Sequence, residues 1–539
     1  MKKFGIIVLC FGILAFVFFN LRCKGKEVPY DLIITEGKII NGEGNPWFRA
    51  DVAIKGDKIV AIGHLDETLA RKVINARGLI VAPGFIDVHT HCDRGIAQIP
   101  TADNYLLQGV TTVVGGNCGG HPFPLAELFK KLEKTGISLN FACLIGHNTI
   151  RRQVMGYKME APTPEEMTEM KRLIENEMKA GAVGFSTGLA YLPGIYSTTE
   201  EIVELASAIA PYGGIYASHI RDQGDKITEA IEEAIAIGER NGLPVLISHV
   251  KLAKDSVWGE LERITRPVEE ARRRGVEVFL DQYPYTATSS GFTSSFPSWA
   301  FEGGREKFVE RLQDPEQYRK IKDFIIARRL TSARGIDKLE TIYIAYCEKF
   351  REYEGKNLKQ ILQEKRIKPT VEAAADLIIE IEKNGGAQGV FFQMDEKDVA
   401  ALMRLPYLMH ASDGGIQQMG RGVPHPRNYG TFPRVIARYV REKHILRLEE
   451  AIRKMTSLPA QMYRLSGRGL IAVGMYADLT IFDPARFKDK ATFDQPHQYS
   501  EGLEYVIVNG TVVVEHNRHT GQKPGRILYG PGRRKEASR

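Results

Sequence analysis

From Ile80 to about Leu465 short apolar runs alternate with amphipathic stretches, and this alternation constrains the fold more than any other feature of the chain. Runs ending at His89, Val114, Ile145, Phe185, Ser218, Ser248, Leu280 and Ala411 supply eight strand candidates. Helix signals separate them. Thr163, Pro164 and Glu166 read as a capping box with proline in the first turn, and Gly181 stops that helix before AVGFSTG. The stretch Ile227 to Arg240 stops at Asn241 and Gly242, and PVLISHV follows at once. Strand-helix repeats of this kind need parallel strands and crossovers, and eight of them fit a closed (β/α)8 barrel of the TIM type.

The two ends have a different texture. DLIITEGKII, DVAIKGDKIVAIG and KVINARGLIVA alternate over a few residues and break at Gly and Asn, as antiparallel strands do. The pattern returns in ADLTIFD and in YVIVNGTVVV, where Asn509-Gly510 is a hairpin signal. Residues 28–80 together with 466–525 are therefore expected to form one small β-sandwich domain around the barrel domain, 81–465. More than a hundred residues separate Tyr285 from Tyr407, so 290–405 reads as an inserted, mostly helical lid subdomain before the last barrel strand. Loops that follow barrel strands lie on the catalytic face, which puts such an insert over the pocket.

Lys2 and Lys3 precede an apolar run from Phe4 to Phe19, and Arg22, Cys23, Lys24 and Lys26 follow it. Residues 1–27 read as a signal or membrane-anchor segment. Cys23 suggests a bacterial lipoprotein cleavage site, although Arg22 stands where a small residue is expected; a retained signal anchor is the alternative. Both place a tethered enzyme body outside the cytoplasm. Membrane contact is expected through this segment alone.

Lys plus Arg number 73 against 66 for Asp plus Glu, a small surplus carried partly by Arg272 to Arg274 and Arg533 to Lys535. No nucleic-acid motif accompanies these runs, so no nucleic-acid partner is expected. The six cysteines form no CxxC pair, which argues against a disulfide framework or a zinc ribbon.

Chemistry-bearing residues cluster at the strand ends. His89 and His91 alternate along an extended run and so share a face on which both imidazoles can meet one metal. His219 in IYASHIR and His249 in PVLISHV end two later strands. Functional residues of (β/α)8 barrels gather at these C-terminal ends. Each histidine alone is more often a core residue, but four in this position point to a metal. Several imidazoles with a thiolate or carboxylate make zinc the first choice. Cys118 in the Gly-rich loop VVGGNCGG could supply the thiolate, or be a buried free cysteine. Asp413 in LMHASDGG could cap a turn, or exchange a proton with a water polarised by the metal.

The co-linear motifs GGNCG at Cys118, GHNTIR ending at Arg151, GFSTGLAY ending at Tyr191, ASHIR, ISHVK, ASDGG and HPRNYGTFPR narrow the reading. From about Tyr30 to Gly510 the chain resembles the amidohydrolase superfamily and, within it, the D-aminoacylases or N-acyl-D-amino-acid deacylases. The resemblance implies that Cys118, His219 and His249 hold a tightly bound zinc, that His89 and His91 complete a second, weaker site, and that Asp413 is the general base and acid. It also implies Arg427 as the clamp on the amino-acid carboxylate, with Lys251, Tyr191, Tyr283 and Ser289 lining the pocket. AVGFSTG carries no lysine to bridge two metals on strand four, unlike the dihydroorotase and hydantoinase branch. The expected reaction is hydrolysis of a small-molecule N-acyl-D-amino acid to a carboxylate and a free D-amino acid. A cyclic-amide hydrolase or D-residue peptidase is the alternative, and a non-catalytic tethered binding protein a remote one.

Overall fold

Apolar residues at every second position bury one face of each barrel strand inward and leave the other for the helices. In the computed structural model, which describes residues 28–533, eight successive parallel strands realise that pattern. They are β1 (Phe85–Asp87), β2 (Val110–Gly115), β3 (Asn140–Cys143, continued by Ile145–Gly146), β4 (Gly184–Gly188), β5 (Ile215–His219), β6 (Val245–Ile247), β7 (Val278–Gln282) and β8 (Leu408–His410). Each pairs in parallel with the next. The barrel closes through a parallel bridge between Thr90 and Gly414, with the Asp413 amide donating to the His89 carbonyl at 2.9 Å. The interior is filled by Ile86, Val88, Val114, Leu144, Phe279 and Met409 among others. Each such aliphatic side chain contributes about 1.5–3 kcal/mol when fully buried.

Local signals behave as their chemistry dictates. Thr163 caps the helix Pro164–Ala180 in a reciprocal box with Glu166, and Gly181 ends it in a left-handed conformation. Helix Ile227–Asn241 ends at Gly242, also left-handed. Asn509 and Gly510, both at positive φ, join the antiparallel strands Leu503–Val508 and Thr511–Glu515.

Strands from the two ends of the chain build the remaining large sheets, and one of these sheets contains strands from both ends. Lys58–Gly63, Asp51–Lys55, Tyr30–Thr35 and Ala70–Asn75 form one. The other has seven strands and pairs Leu479–Phe482 antiparallel with Ile80–Pro83, so the C-terminal part of the chain is stitched directly to the entry of the barrel. Ile34, Ile54, Val81, Leu479 and Ile507 fill the space between the two sheets.

Between β7 and β8, helices such as Pro315–Ile325 and Val371–Lys383 build a separate apolar cluster. This segment also contains an antiparallel three-stranded sheet of Ala287–Gly291, Gln388–Phe392 and Ile342–Tyr346, which a reading of it as mostly helical does not anticipate. Polar serines on the first of these strands hide its alternation. The export segment expected over 1–27 lies outside the described residues. Among those that are described, no helix is long and apolar enough to cross a membrane.

Candidate active site

All the strand-end residues singled out from sequence meet at the C-terminal mouth of the barrel. Cys118 Sγ lies 3.3 Å from His89 Nε2, 3.7 Å from His219 Nδ1 and 3.4 Å from His249 Nε2, and the last two nitrogens are 2.8 Å apart. On the other side His91 Nε2 lies 3.1 Å and His89 Nε2 3.6 Å from Asp413 Oδ1. His89 thus belongs to two overlapping donor groups, one with Cys118 and His249 and one with His91 and Asp413.

The backbone is bent to achieve this. Cys118, His249 and Asp413 sit at φ 54°, 36° and 51°, a region that costs a non-glycine residue on the order of 1–3 kcal/mol. Strain at three adjacent functional positions marks a site that the surrounding packing holds in place. The loop bearing Cys118 also needs its glycines: a Cβ on Gly116, at φ 75°, would fall 2.1 Å from the Leu144 carbonyl oxygen.

Two groups that the sequence reading missed orient the histidines. Asp281, fully buried at the end of β7, lies 3.2 Å from His89 Nδ1 and accepts the His249 amide at 2.7 Å. Gln223 Nε2 lies 3.1 Å from His249 Nδ1. An acidic residue inside the apolar run VFLDQ was the available signal for Asp281. Asp87 braces the closure beneath them by accepting the amides of His89 and Ser412, and burial raises its carboxyl to about 7 against those bonds. His89, whose Nδ1 faces a carboxylate, is oriented as ligating imidazoles usually are in metal centres.

The charges are strongly coupled. Burial by itself would push the Cys118 thiol up, but His89, His249 and His219 outweigh it and hold it well below the usual range. Burial would likewise raise Asp413, yet Arg427, His249 and His91 keep its carboxylate well below normal. His91 is depressed by burial but lifted by Asp413 and Cys118 to about 9. Lys251 is brought down to about 7, chiefly by burial. Its Nζ reaches Gln223 Oε1 at 2.9 Å and His249 Nδ1 at 3.1 Å.

The residues assigned to substrate by resemblance surround the same space. Arg427 opens the helix Arg427–Arg434 and donates from Nη1 to Asp413 Oδ2 at 2.7 Å. Its Nη2 reaches the carbonyl of Ser289, not the hydroxyl, at 3.4 Å. Tyr283 carries the Arg427 guanidinium at 4.9 Å and the Lys251 ammonium at 5.5 Å from its ring centre. Tyr285 instead packs on His425 and Phe493, away from the cavity. The Tyr191 ring lies 4.3 Å from that of His219.

These donors suit a divalent metal of intermediate softness. Bond lengths of about 2.0–2.3 Å in a tetrahedron require ligand atoms about 3.3–3.6 Å apart, close to the spacings between Cys118 and its three imidazoles; the 2.8 Å between His219 and His249 would have to open by about half an ångström. A depressed thiol and a His89 ring fixed through its second nitrogen on Asp281 add to the fit, which favours zinc. Fold and site together define a metal-assisted hydrolase built on a (β/α)8 barrel.

Comparison with known proteins agrees. Residues 72–323 and 326–514 match the model of the amidohydrolase family. The chain is 36% identical to a D-aminoacylase of Alcaligenes xylosoxydans xylosoxydans, over 94% of its own length and 99% of that protein. It is 35% identical to an N-acyl-D-glutamate deacylase of the same organism, over 92% and 96% of the two chains. A crystal structure of N-acyl-D-glutamate deacylase from Bordetella bronchiseptica, complexed with zinc and a phosphonate mimic of the tetrahedral intermediate, superposes with a TM-score of 0.79 at 32% identity, covering 93% of this chain and all of that one. The chain belongs to the amidohydrolase family and, within it, to the D-aminoacylases and related N-acyl-D-amino-acid deacylases.

Proposed function

We propose that this protein is a zinc-dependent hydrolase that cleaves the amide bond of N-acyl-D-amino acids, releasing a carboxylate and a free D-amino acid. The observation that carries the reading is the convergence of Cys118, His219 and His249 within 2.8–3.7 Å beside Asp413, at the mouth of a barrel whose relatives are deacylases. Cys118, His219 and His249 would hold the tight metal, and His89 and His91 with Asp413 a weaker one. Zinc so held would lower the pKa of a water toward neutrality and polarise a carbonyl.

The chain's own residues supply the rest. Asp413, kept ionised, accepts the proton of the attacking water and returns it to the departing nitrogen. Arg427 is a natural clamp for the α-carboxylate because a guanidinium pairs with a carboxylate through two parallel bonds. In the free protein that guanidinium is engaged with Asp413. A bound α-carboxylate competes for it and thereby frees Asp413 for proton transfer, so binding the correct end of the substrate prepares the base. Tyr191 and Tyr283 wall the cavity, Lys251 adds an amine held against Gln223 and His249, and Ser289 contributes through its backbone.

The test is an assay of the body from about Tyr30 onward on N-acetyl-D- and N-acetyl-L-amino acids and on hydantoins, with zinc quantified. Zinc-dependent release of free D-amino acid is expected. Turnover of hydantoins alone would move the reading to a cyclic-amide hydrolase. The segment 1–27 supports a further proposal, that the enzyme is exported and tethered to a membrane; recovery of the full chain wholly in the soluble fraction of its native host would reject it.

A further inference from the structure

The cavity that holds Asp413, His219 and His249 extends under the inserted segment and encloses about 350 Å³. Its far wall carries Arg329, delivered by a π-helical turn, Ile326–Leu330, that continues the helix Pro315–Ile325. π-turns inside helices recur at functional positions, because they turn side chains that a regular helix would place elsewhere.

All the groups that hold this guanidinium are neutral. It donates to Ser295 Oγ at 3.2 Å, to Gln393 Oε1 at 3.3 Å, and to the Ser294 hydroxyl and carbonyl at 3.0 and 3.4 Å. It also lies 5.0 Å from the centre of the Phe391 ring. Among the described residues no carboxylate comes within ion-pairing distance of it. The carboxylates in the same cavity are engaged elsewhere: Asp225 with Lys254, Asp413 with Arg427, and Asp222 with the amides of Gly224 and Lys226.

Among the described residues three arginines are buried, and they are treated differently. Arg151 pairs with Glu201, Arg427 with Asp413 and Arg468 with Asp478. A cation withdrawn from water without a counter-ion is costly, and natural chains pair such charges unless a ligand does so. Arg329 itself is only half-buried, yet desolvation is the main influence that brings its guanidinium down to about 9, with Arg328 adding to the effect.

We propose that Arg329 forms a subsite for a second carboxylate of the substrate, distinct from the α-carboxylate assigned to Arg427. The inference rests on the deacylase reading and sharpens it: the substrates are dicarboxylates, with the second acid group on the D-amino-acid side chain or on the acyl group. Ser289, Ser290 and Ser294 run between the two guanidiniums, with the hydroxyls of Ser290 and Ser294 3.3 Å apart, so a polar wall connects the two anion sites.

The experiment compares N-acetyl-D-glutamate, N-succinyl-D-leucine and N-acetyl-D-leucine as substrates of the zinc-loaded protein. One dicarboxylate is expected to exceed N-acetyl-D-leucine in kcat/KM by about 10- to 100-fold, the worth of a charge-assisted contact. Preference for the first locates the acid on the side chain, and preference for the second locates it on the acyl group. Arg329→Gln, which keeps hydrogen-bonding capacity and removes the charge, should erase that preference mainly through KM, and Arg329→Lys should restore part of it. The proposal is overturned if the wild-type protein prefers neither dicarboxylate, a result that needs no variant. It is also overturned if Arg329→Gln lowers all three rates equally, as a purely structural arginine would. Failure on all three substrates, N-acetyl-D-leucine included, removes the deacylase reading and this subsite together.

Discussion

The two halves of the candidate metal centre are built to different standards. On the thiolate side Cys118 meets three imidazoles, and both Cys118 and His249 are held in strained backbone conformations. On the carboxylate side His91 keeps 26% of its side chain exposed, whereas His89, which both sides share, has none. Asp413, the remaining donor there, is already claimed by a permanent cation 2.7 Å away. A metal on that side must compete with Arg427 for the same carboxylate, whereas the groups against Cys118 are imidazoles that could themselves be ligands. The lesson is that a centre with two donor groups need not hold two metals equally. A neighbouring guanidinium can hold one group's carboxylate away from a metal.

The largest expected effect separates the halves outright. Cys118→Ala should strip the tight metal and take turnover with it; a variant that retains stoichiometric zinc by metal analysis would break the comparison. Next, Asp413→Asn should keep its zinc while kcat falls by roughly 10²–10⁴, the range ascribed to a positioned acid-base group. Loss of zinc in that variant would mean that the carboxylate side does hold the principal metal. The smallest change belongs to His91→Ala, which should leave the tight zinc in place and alter mainly the response of activity to added zinc. Titrating both enzymes with metal would sharpen how weak the second site is.

Much of this site was legible because the residues that make it stand at the ends of apolar runs. His89, His91, His219, His249, Cys118 and Asp413 each follow a strand, and in a parallel barrel every strand ends on the same face. Chain order and period were enough to bring them together. Arg427 was legible only through its motif, since a helix N-terminus gives no hint of what lies opposite. Asp281 was passed over because a buried acid within a strand looks, in sequence, like any other polar interruption. The sheet in the inserted segment escaped for a related reason. Its first strand, Ala287–Gly291, is threonine- and serine-rich, and only pairing with Gln388–Phe392, about a hundred residues later, makes it a strand.

The sequence by itself determined the barrel, the strand ends that carry chemistry and the family, because period, capping and motif are local or ordered along the chain. Only the tertiary structure decided how these donors are shared. It made His89 common to two groups, set Arg427 against Asp413, and put Arg329 into the catalytic cavity without a counter-ion. The physical reason is that charge pairing and desolvation depend on distances between residues far apart in the chain, and those distances exist only after the barrel has closed and the insert has packed over its mouth. PGFIDVHTHC announces a metal in sequence; which metal site its histidines serve is a property of the folded mouth.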